Sequence, residues 1–265
     1  MLHFTKMEGL GNDYVYLNCL EHTPDNLPDL ARTLSDRHFG VGADGLICIC
    51  SSQIADVRMR MFNADGSEGE MCGNGIRCVG KYAYDKGLVQ KNELTVETKA
   101  GIKRLWLIVK DSTVAAATVD MGEPNVGRCI TAPVKEKDYT IYPVSVGNPH
   151  AVLFLPEIEN LELNILGPQI ECHPMFPNRT NVEFVKCIDR THLTMRVWER
   201  GSGETLACGT GATAVLAAAA TLGLCEREAL IRLRGGELSL RWDTKDDHIY
   251  LTGPARTVFE GEFAL

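Results

Sequence analysis

This 265-residue chain has little positive charge, no long apolar run and none of the common nucleotide or hydrolase motifs. Lys and Arg number 27 against 35 Asp and Glu, a formal net charge of -8. Nucleic acid and anionic membrane both require a basic face, so neither is expected as a partner. A small zwitterionic substrate, held by a few local groups, stays open. The longest weakly polar stretch, Ala212–Cys225, is Ala-rich and too short to span a bilayer; it reads as a buried helix. Met1–Asn12 has no basic segment followed by an apolar one, so no signal peptide is expected and the expected location is cytoplasmic. There is no P-loop and no GxSxG, and Gly9-Leu10-Gly11 is a lone GxG without nucleotide meaning. The Cys72/Cys78 spacing fits no common zinc site, and no metal is expected.

Cysteine, by contrast, is plentiful. The ten residues are 19, 48, 50, 72, 78, 129, 172, 187, 208 and 225. In a leaderless chain of this size they suggest reduced thiols rather than a disulfide scaffold. Most should be small core residues.

The chain repeats itself. At an offset of 136, Gly11-Asn12 falls on Gly147-Asn148, Met59-Arg60 on Met195-Arg196, Glu68 on Glu204, and Cys72-Gly73 on Cys208-Gly209. Gly75 falls on Gly211, Gly87-Leu88 on Gly223-Leu224, and Leu94 on Leu230. One ungapped offset over more than 80 positions indicates duplication. Each half has a β-branched, period-2 segment (55–62; 193–198) that enters a Gly-rich loop. The loop carries the Cys and opens a helix, predicted over 72–85 and 208–222, with Gly87 and Gly223 as stops. A strand follows each (94–98; 229–233), and further strands are expected at 105–109, 114–119 and 151–155. The expected fold is α+β: two pseudo-symmetric domains from an internal duplication, each a strand-rich mixed sheet or barrel around a central helix. The expected division is 1–117 and 118–265, with about 254–265 packing back on the first domain and the active site in the cleft between them.

Both cysteines should stand at a helix N-terminus. Free N–H groups and the helix dipole there stabilise a thiolate, lowering its pKa, and can cradle a carboxylate. Two thiols at equivalent repeat positions suit the inversion of a stereocentre. A proton leaves one face of a near-planar carbanion and another arrives on the opposite face.

The strings FNADGSEGEMCGNGIRC (62–78) and ERGSGETLACGTGA (199–212) closely resemble the two motifs of the diaminopimelate epimerases. KMEGLGNDY (6–14), RHFGVGADGLI (37–47), VGNPHAVLF (146–154), FPNRTNVEFV (176–185) and GPARTVF (253–259) resemble that family too. Tyr14 departs from the family's usual Phe, and regions 20–36 and 99–145 match weakly. The resemblance implies interconversion of LL- and meso-diaminopimelate without pyridoxal phosphate or metal, for lysine and peptidoglycan synthesis. No cofactor is therefore expected, and a homodimer is. By matching motifs, Cys72 and Cys208 would be the two bases. Gly73-Asn74 and Gly209-Thr210 would bind the reacting carboxylate. Asn12, Asn63, Asn148, Asn181, Glu199 and Arg200 would hold the rest of the substrate, while His150 and Glu199 would tune the thiols. Arg200, whose repeat partner is Ala64, could clamp a distal carboxylate. Lys6, Glu8, Glu68 and Glu204 read as structural or loop-closing. Three alternatives remain at this point: a racemase of another amino acid on the same fold, a thiol redox or metal-binding protein, and a non-catalytic amino-acid binder.

Overall fold

The computed structural model describes residues 1–134 and 137–264. Two compact units emerge: Met1–Val119 joined by the C-terminal segment from Gly253, and Asp120–Thr252. The chain runs β1 (Leu2–Gly9), β2 (Asn12–Cys19), α1 (Leu27–Ser35), β3 (Gly45–Cys50), β4 (Val57–Asn63), β5 (Glu68–Gly69), α2 (Gly73–Asp85), β6 (Glu93–Thr98), β7 (Gly101–Lys110) and β8 (Thr113–Asp120). It continues with β9 (Asn125–Val126), β10 (Ile130–Val134), β11 (Lys137–Ser145), β12 (Pro149–Phe154), α3 (Leu163–Glu171), β13 (Asn181–Cys187), β14 (His192–Glu199), β15 (Gly203–Thr205) and α4 (Gly209–Thr221). The last strands are β16 (Glu228–Leu233), β17 (Gly236–Trp242), β18 (Ile249–Pro254) and β19 (Arg256–Phe263).

The pairings repeat as the sequence does. In the first unit β2 and β3 run parallel, β3 and β4 antiparallel, and β4 and β6 parallel. In the second, β12 and β13 run parallel, β13 and β14 antiparallel, and β14 and β16 parallel. An antiparallel strand flanks the start of each series. β1 lies beside β2 and takes β19 on its far edge, while β11 lies beside β12 and takes β10. Helices α2 and α4 differ by the 136 offset at both ends, and so do α1 and α3. The first pair follows the predicted bounds to within a residue. Of the second pair, α1 falls in the weakly matching region 20–36 and α3 between two of the matching segments, 146–154 and 176–185.

Each central helix is enclosed by its sheet. α2 packs on β1, β2, β4, β6, β7 and β19; α4 packs on β9, β11, β12, β13, β16 and β17. Such enclosure demands small side chains. α4 answers with an alanine run, Ala212 to Ala219 being buried throughout. α2 carries Gly80, where a Cβ would stand 3.0 Å from Leu107 and 3.1 Å from Leu105. Both helices end in the same way. Gly87 (φ 72°) and Gly223 (φ 70°) take the left-handed conformation. The next residue's N–H then reaches back to a carbonyl five positions earlier, Leu88 to Ala83 and Leu224 to Ala219. This is the Schellman closure that glycine permits at no steric cost.

Candidate active site

The thiol loops are built alike. Cys72 and Cys208 are the N-cap residues of α2 and α4, with extended backbones (φ -126°, ψ 116° and φ -131°, ψ 112°). In each, the Sγ accepts the N–H three residues on, from Gly75 at 3.2 Å and from Gly211 at 3.4 Å. The sulfur thus takes the place of the usual capping oxygen. β4 and β14 lead into these loops, each tied to its hairpin by an equivalent ion pair. Arg60 Nε meets Glu68 at 2.8 Å and Arg196 Nε meets Glu204 at 2.9 Å. Glu68 and Glu204 are therefore loop ties, as is Glu8, which accepts the Gly11 N–H at 2.8 Å. Lys6, buried, ties the Gly42 carbonyl and Asp13 to β1.

In the first unit, Asn12 at the start of β2 places its Oδ1 3.2 Å from Cys72 Sγ. Its Nδ2 donates to Asp44 at 2.9 Å. Arg37 bridges Asp44 and Asp13 at 2.9 and 3.0 Å. Burial and the neighbouring Asp13 charge raise the Asp44 pKa. Burial alone would push Asp13 the same way, but Arg37 and Lys6 outweigh it and hold Asp13 low. Asn74 is buried, and its Oδ1 accepts from Arg77 at 3.1 Å. Arg77 is fully buried and also holds the Gly73 carbonyl at 3.0 Å, so it rigidifies the first turn of α2. Asn63 is exposed, with its Nδ2 on Ser67 at 3.0 Å rather than on the thiol loop.

The second unit joins more of the expected residues. Asn148 Nδ2 donates to Thr210 Oγ1 at 3.4 Å, and its Oδ1 lies 3.0 Å from His150 Nε2. His150 Nδ1 lies 2.7 Å from Glu183 Oε1, with both side chains fully buried. Thr210 Oγ1 is 3.5 Å from Cys208 Sγ. Glu199, also hydrogen-bonded to Cys208, accepts from Thr205 at 2.6 Å. Asn181 is a backbone clasp: it donates to the Pro149 carbonyl at 2.9 Å and accepts the Arg200 N–H at 2.9 Å. The Arg200 side chain is exposed and reaches the Asn178 carbonyl at 3.3 Å. Beneath it, buried Glu171 accepts from Trp198 Nε1 at 2.7 Å and from the Gly201 N–H at 3.0 Å. It thereby pins the loop that carries Glu199 and Arg200.

The electrostatics of Cys208 run against the simple helix-terminus expectation. Burial pushes its pKa well above the usual thiol value, and the charges of Glu199 and Glu183 push the same way. Thr210 and the Gly211 N–H oppose this without overcoming it. Desolvation and two carboxylates outweigh one helix end. Burial raises Glu199 too, against hydrogen bonds from Thr205 and Cys208. Glu183, Glu171, Asp44 and Arg77 were not singled out from the sequence. Glu183 and Arg77 had a readable signal, a charged residue set directly between apolar neighbours, Val182 and Phe184 for the one and Ile76 and Cys78 for the other. Among the described residues, no group of three or more His, Cys, Asp or Glu side chains could hold a metal ion.

Comparison with known proteins bears on what this arrangement is. The family profile described as diaminopimelate epimerase matches residues 4–127 and 142–258. A diaminopimelate epimerase of Acetivibrio thermocellus is 52% identical, aligned over all of this chain and 99% of its own. One from Methanococcus maripaludis (strain C6) is 50% identical over the full length of both. Among solved structures, a Bacillus anthracis phenazine biosynthesis protein of the PhzF family has a TM-score of 0.77 at 20% identity, covering 100% of this chain and 99% of that one. A probable proline racemase from Agrobacterium radiobacter K84 has a TM-score of 0.76 at 16% identity, covering 100% and 93%. These two likenesses establish the fold, while the full-length relatives and the profile establish descent: the chain belongs to the diaminopimelate epimerase family.

Proposed function

We propose that this enzyme epimerises LL-diaminopimelate to meso-diaminopimelate, for lysine and peptidoglycan synthesis, with Cys72 and Cys208 as its two proton-transfer groups. The observation that carries the reading is the pair of repeat-equivalent helix N-caps, both occupied by cysteine in one backbone geometry. One thiolate removes the α-hydrogen, leaving its electron pair on the α-carbon and adjoining carboxylate. The other thiol delivers its proton to the opposite face and becomes the thiolate. The N–H groups of Gly73-Asn74 and Gly209-Thr210, at helix N-termini, suit the carboxylate on which charge builds. Burial and its two carboxylate neighbours, Glu199 and Glu183, disfavour the Cys208 thiolate. His150 and Glu199 tune Cys208, and Asn12, Asn63, Asn148, Asn181, Glu199 and Arg200 hold the remainder of the substrate.

The reading includes a reaction without pyridoxal phosphate or metal, a cytoplasmic location and a homodimer. It also includes a substrate held where the two domains, 1–117 and 118–265 with about 254–265 packing back on the first, close on it. The test is turnover of LL-diaminopimelate by protein in reductant and chelator, freed of added cofactor. Appearance of the meso isomer supports the reading. No turnover of diaminopimelate, with turnover of another amino acid, would replace it by a racemase of that substrate.

A further inference from the structure

Within the second unit, the turn between β11 and β12, the segment before β13 and Arg200 after β14 line a cavity of about 360 Å³. Arg179 and Arg200 are its only charged lining residues, with Asn148 among the polar ones. The two arginines are tied crosswise. Arg200 Nη1 donates to the carbonyl of Asn178, the neighbour of Arg179, at 3.3 Å. Arg179 Nη1 lies 3.5 Å from Glu171 Oε1, the oxygen that accepts the N–H of Gly201, the neighbour of Arg200. The other Glu171 oxygen accepts from Trp198 Nε1 at 2.7 Å. Among the described residues neither guanidinium has a further partner, so most of their donors stay open to a ligand. One carboxyl group serves two guanidinium groups, and a surplus of positive charge remains at this cavity in a chain whose formal net charge is -8.

Arg179 is an unexpected residue for its place. Its backbone is left-handed, with φ 57°, and its N–H closes the turn on the Phe176 carbonyl at 2.9 Å. Glycine takes that conformation at no steric cost and arginine does not. The Arg179 side chain is 60% exposed, and one long ion pair at that exposure adds little to the fold. The other half of the chain dispenses with all three groups together. At the offset of 136, Arg179 falls on Ala43, Arg200 on Ala64 and Glu171 on Ser35. The positions correspond in the fold as well, since α1 and α3 keep that offset at both ends and β3 and β13 keep it at their first residue.

Resting on the epimerase reading above, we propose that Arg179 is a specificity-determining residue that holds, with Arg200, the distal carboxylate of diaminopimelate, and that Glu171 keeps the two guanidinium groups in register. Diaminopimelate carries an amino-acid group at each end. The reacting carboxylate suits backbone N–H groups at the helix N-termini, which both units possess. The distal one needs a site that only one unit possesses. Two planar guanidinium forks meet that need, because each can pair with a carboxylate through parallel bonds.

The test compares the full chain with Arg179→Gly, which removes the guanidinium and suits the left-handed backbone, and with Arg179→Lys, which keeps a charge without the fork. In Arg179→Gly the KM for diaminopimelate should rise about 10- to 100-fold, the worth of a charge-assisted hydrogen bond, while kcat changes less and the melting temperature holds. Arg179→Lys should lie between that variant and the wild type. Lysine has the same arm without the distal carboxylate, so excess lysine should inhibit wild type and Arg179→Gly alike. An unchanged KM overturns the proposal, as does lysine inhibition weakened as much as diaminopimelate binding. A fall in melting temperature with kcat lowered in step would make Arg179 a residue of the fold and overturns it too. An active wild type with an unchanged variant removes this proposal alone, whereas a wild type inactive on diaminopimelate removes the epimerase reading and the proposal with it.

Discussion

Replacing either capping cysteine by alanine should separate chemistry from folding. The loss to the fold is small. Each Sγ accepts one backbone N–H, at 3.2 Å for Cys72 and 3.4 Å for Cys208, and a sulfur acceptor is weak. Loss of a capping side chain costs about 1 kcal/mol. In a protein of this length that lowers Tm by roughly 2–4 °C. On the proposed mechanism the loss to the chemistry is large, because each face then has a single proton carrier. Acid–base catalysis by one positioned group contributes about 10²- to 10⁴-fold, and epimerisation in Cys72→Ala or Cys208→Ala should fall by at least this much. The assays are thermal melting and conversion of LL to meso isomer. The single mutants offer a sharper reading in D2O. One surviving thiol can take a proton from its own face and return deuterium there, so each mutant should exchange the α-hydrogen of one stereoisomer without inverting it. Activity within tenfold of wild type in either mutant would refute the two-thiol mechanism. A fall in Tm of more than about 10 °C would instead make the lost activity a folding effect.

Three other perturbations test the surroundings of Cys208 and the substrate. Glu199→Gln removes a negative charge that raises the Cys208 pKa, so the pH midpoint for alkylation of Cys208, followed by peptide mass, should move down; an upward move would contradict the assigned sign. Gly211→Ala gains about 1 kcal/mol of helix propensity but sets its Cβ 2.8 Å from Glu183 Oε1 and 3.3 Å from Cys208 Cβ. Overpacking by about 1–3 kcal/mol should win, and denaturant melts showing net stabilisation would disprove that. Arg200→Ala should reduce kcat/KM far more for substrates with a distal carboxylate than for those without one; equal losses would assign Arg200 to the reacting end or to folding.

The fold was legible where local chemistry decides it. Cys72, Cys208, Gly87 and Gly223 mark the ends of α2 and α4 because caps and left-handed stops act within a single turn. The offset of 136 then transfers the reading of one half to the other. What escaped depends on residues far apart in the chain. Asp44 reaches Asn12 only because β2 and β3 lie side by side, and Glu183 reaches His150 only because β12 and β13 do. The sign of the Cys208 shift escaped for the same reason. A helix N-terminus is visible in the sequence, whereas the desolvation and the carboxylates that outweigh it come from other strands. Asn63 stands on its motif match alone: its exposed side chain donates to Ser67 across its own turn.

Duplication supplies two thiols of one geometry, but the substrate offers them different surroundings. A reacting carbon carries its carboxylate and amine on one side and a long arm on the other, so a fully symmetric pair of units could not tell its ends apart. Some of the differences between the halves fall in or beside the segments that carry the expected site residues. At equivalent positions the first unit has Tyr14, Ile47, Asn63 and Ala64, where the second has His150, Glu183, Glu199 and Arg200. None of the four first-unit side chains is a carboxyl, guanidinium or imidazole group, and all four in the second are. The caps themselves differ little, with φ and ψ of Cys72 and Cys208 within about 5° of each other. On the proposed mechanism, proton transfer, which must run in both directions, rests on what the duplication kept. Telling one end of the substrate from the other rests on what it changed. On that division, exchanging the four residues of the second unit for those of the first should weaken binding and selectivity before it alters either thiol's reach.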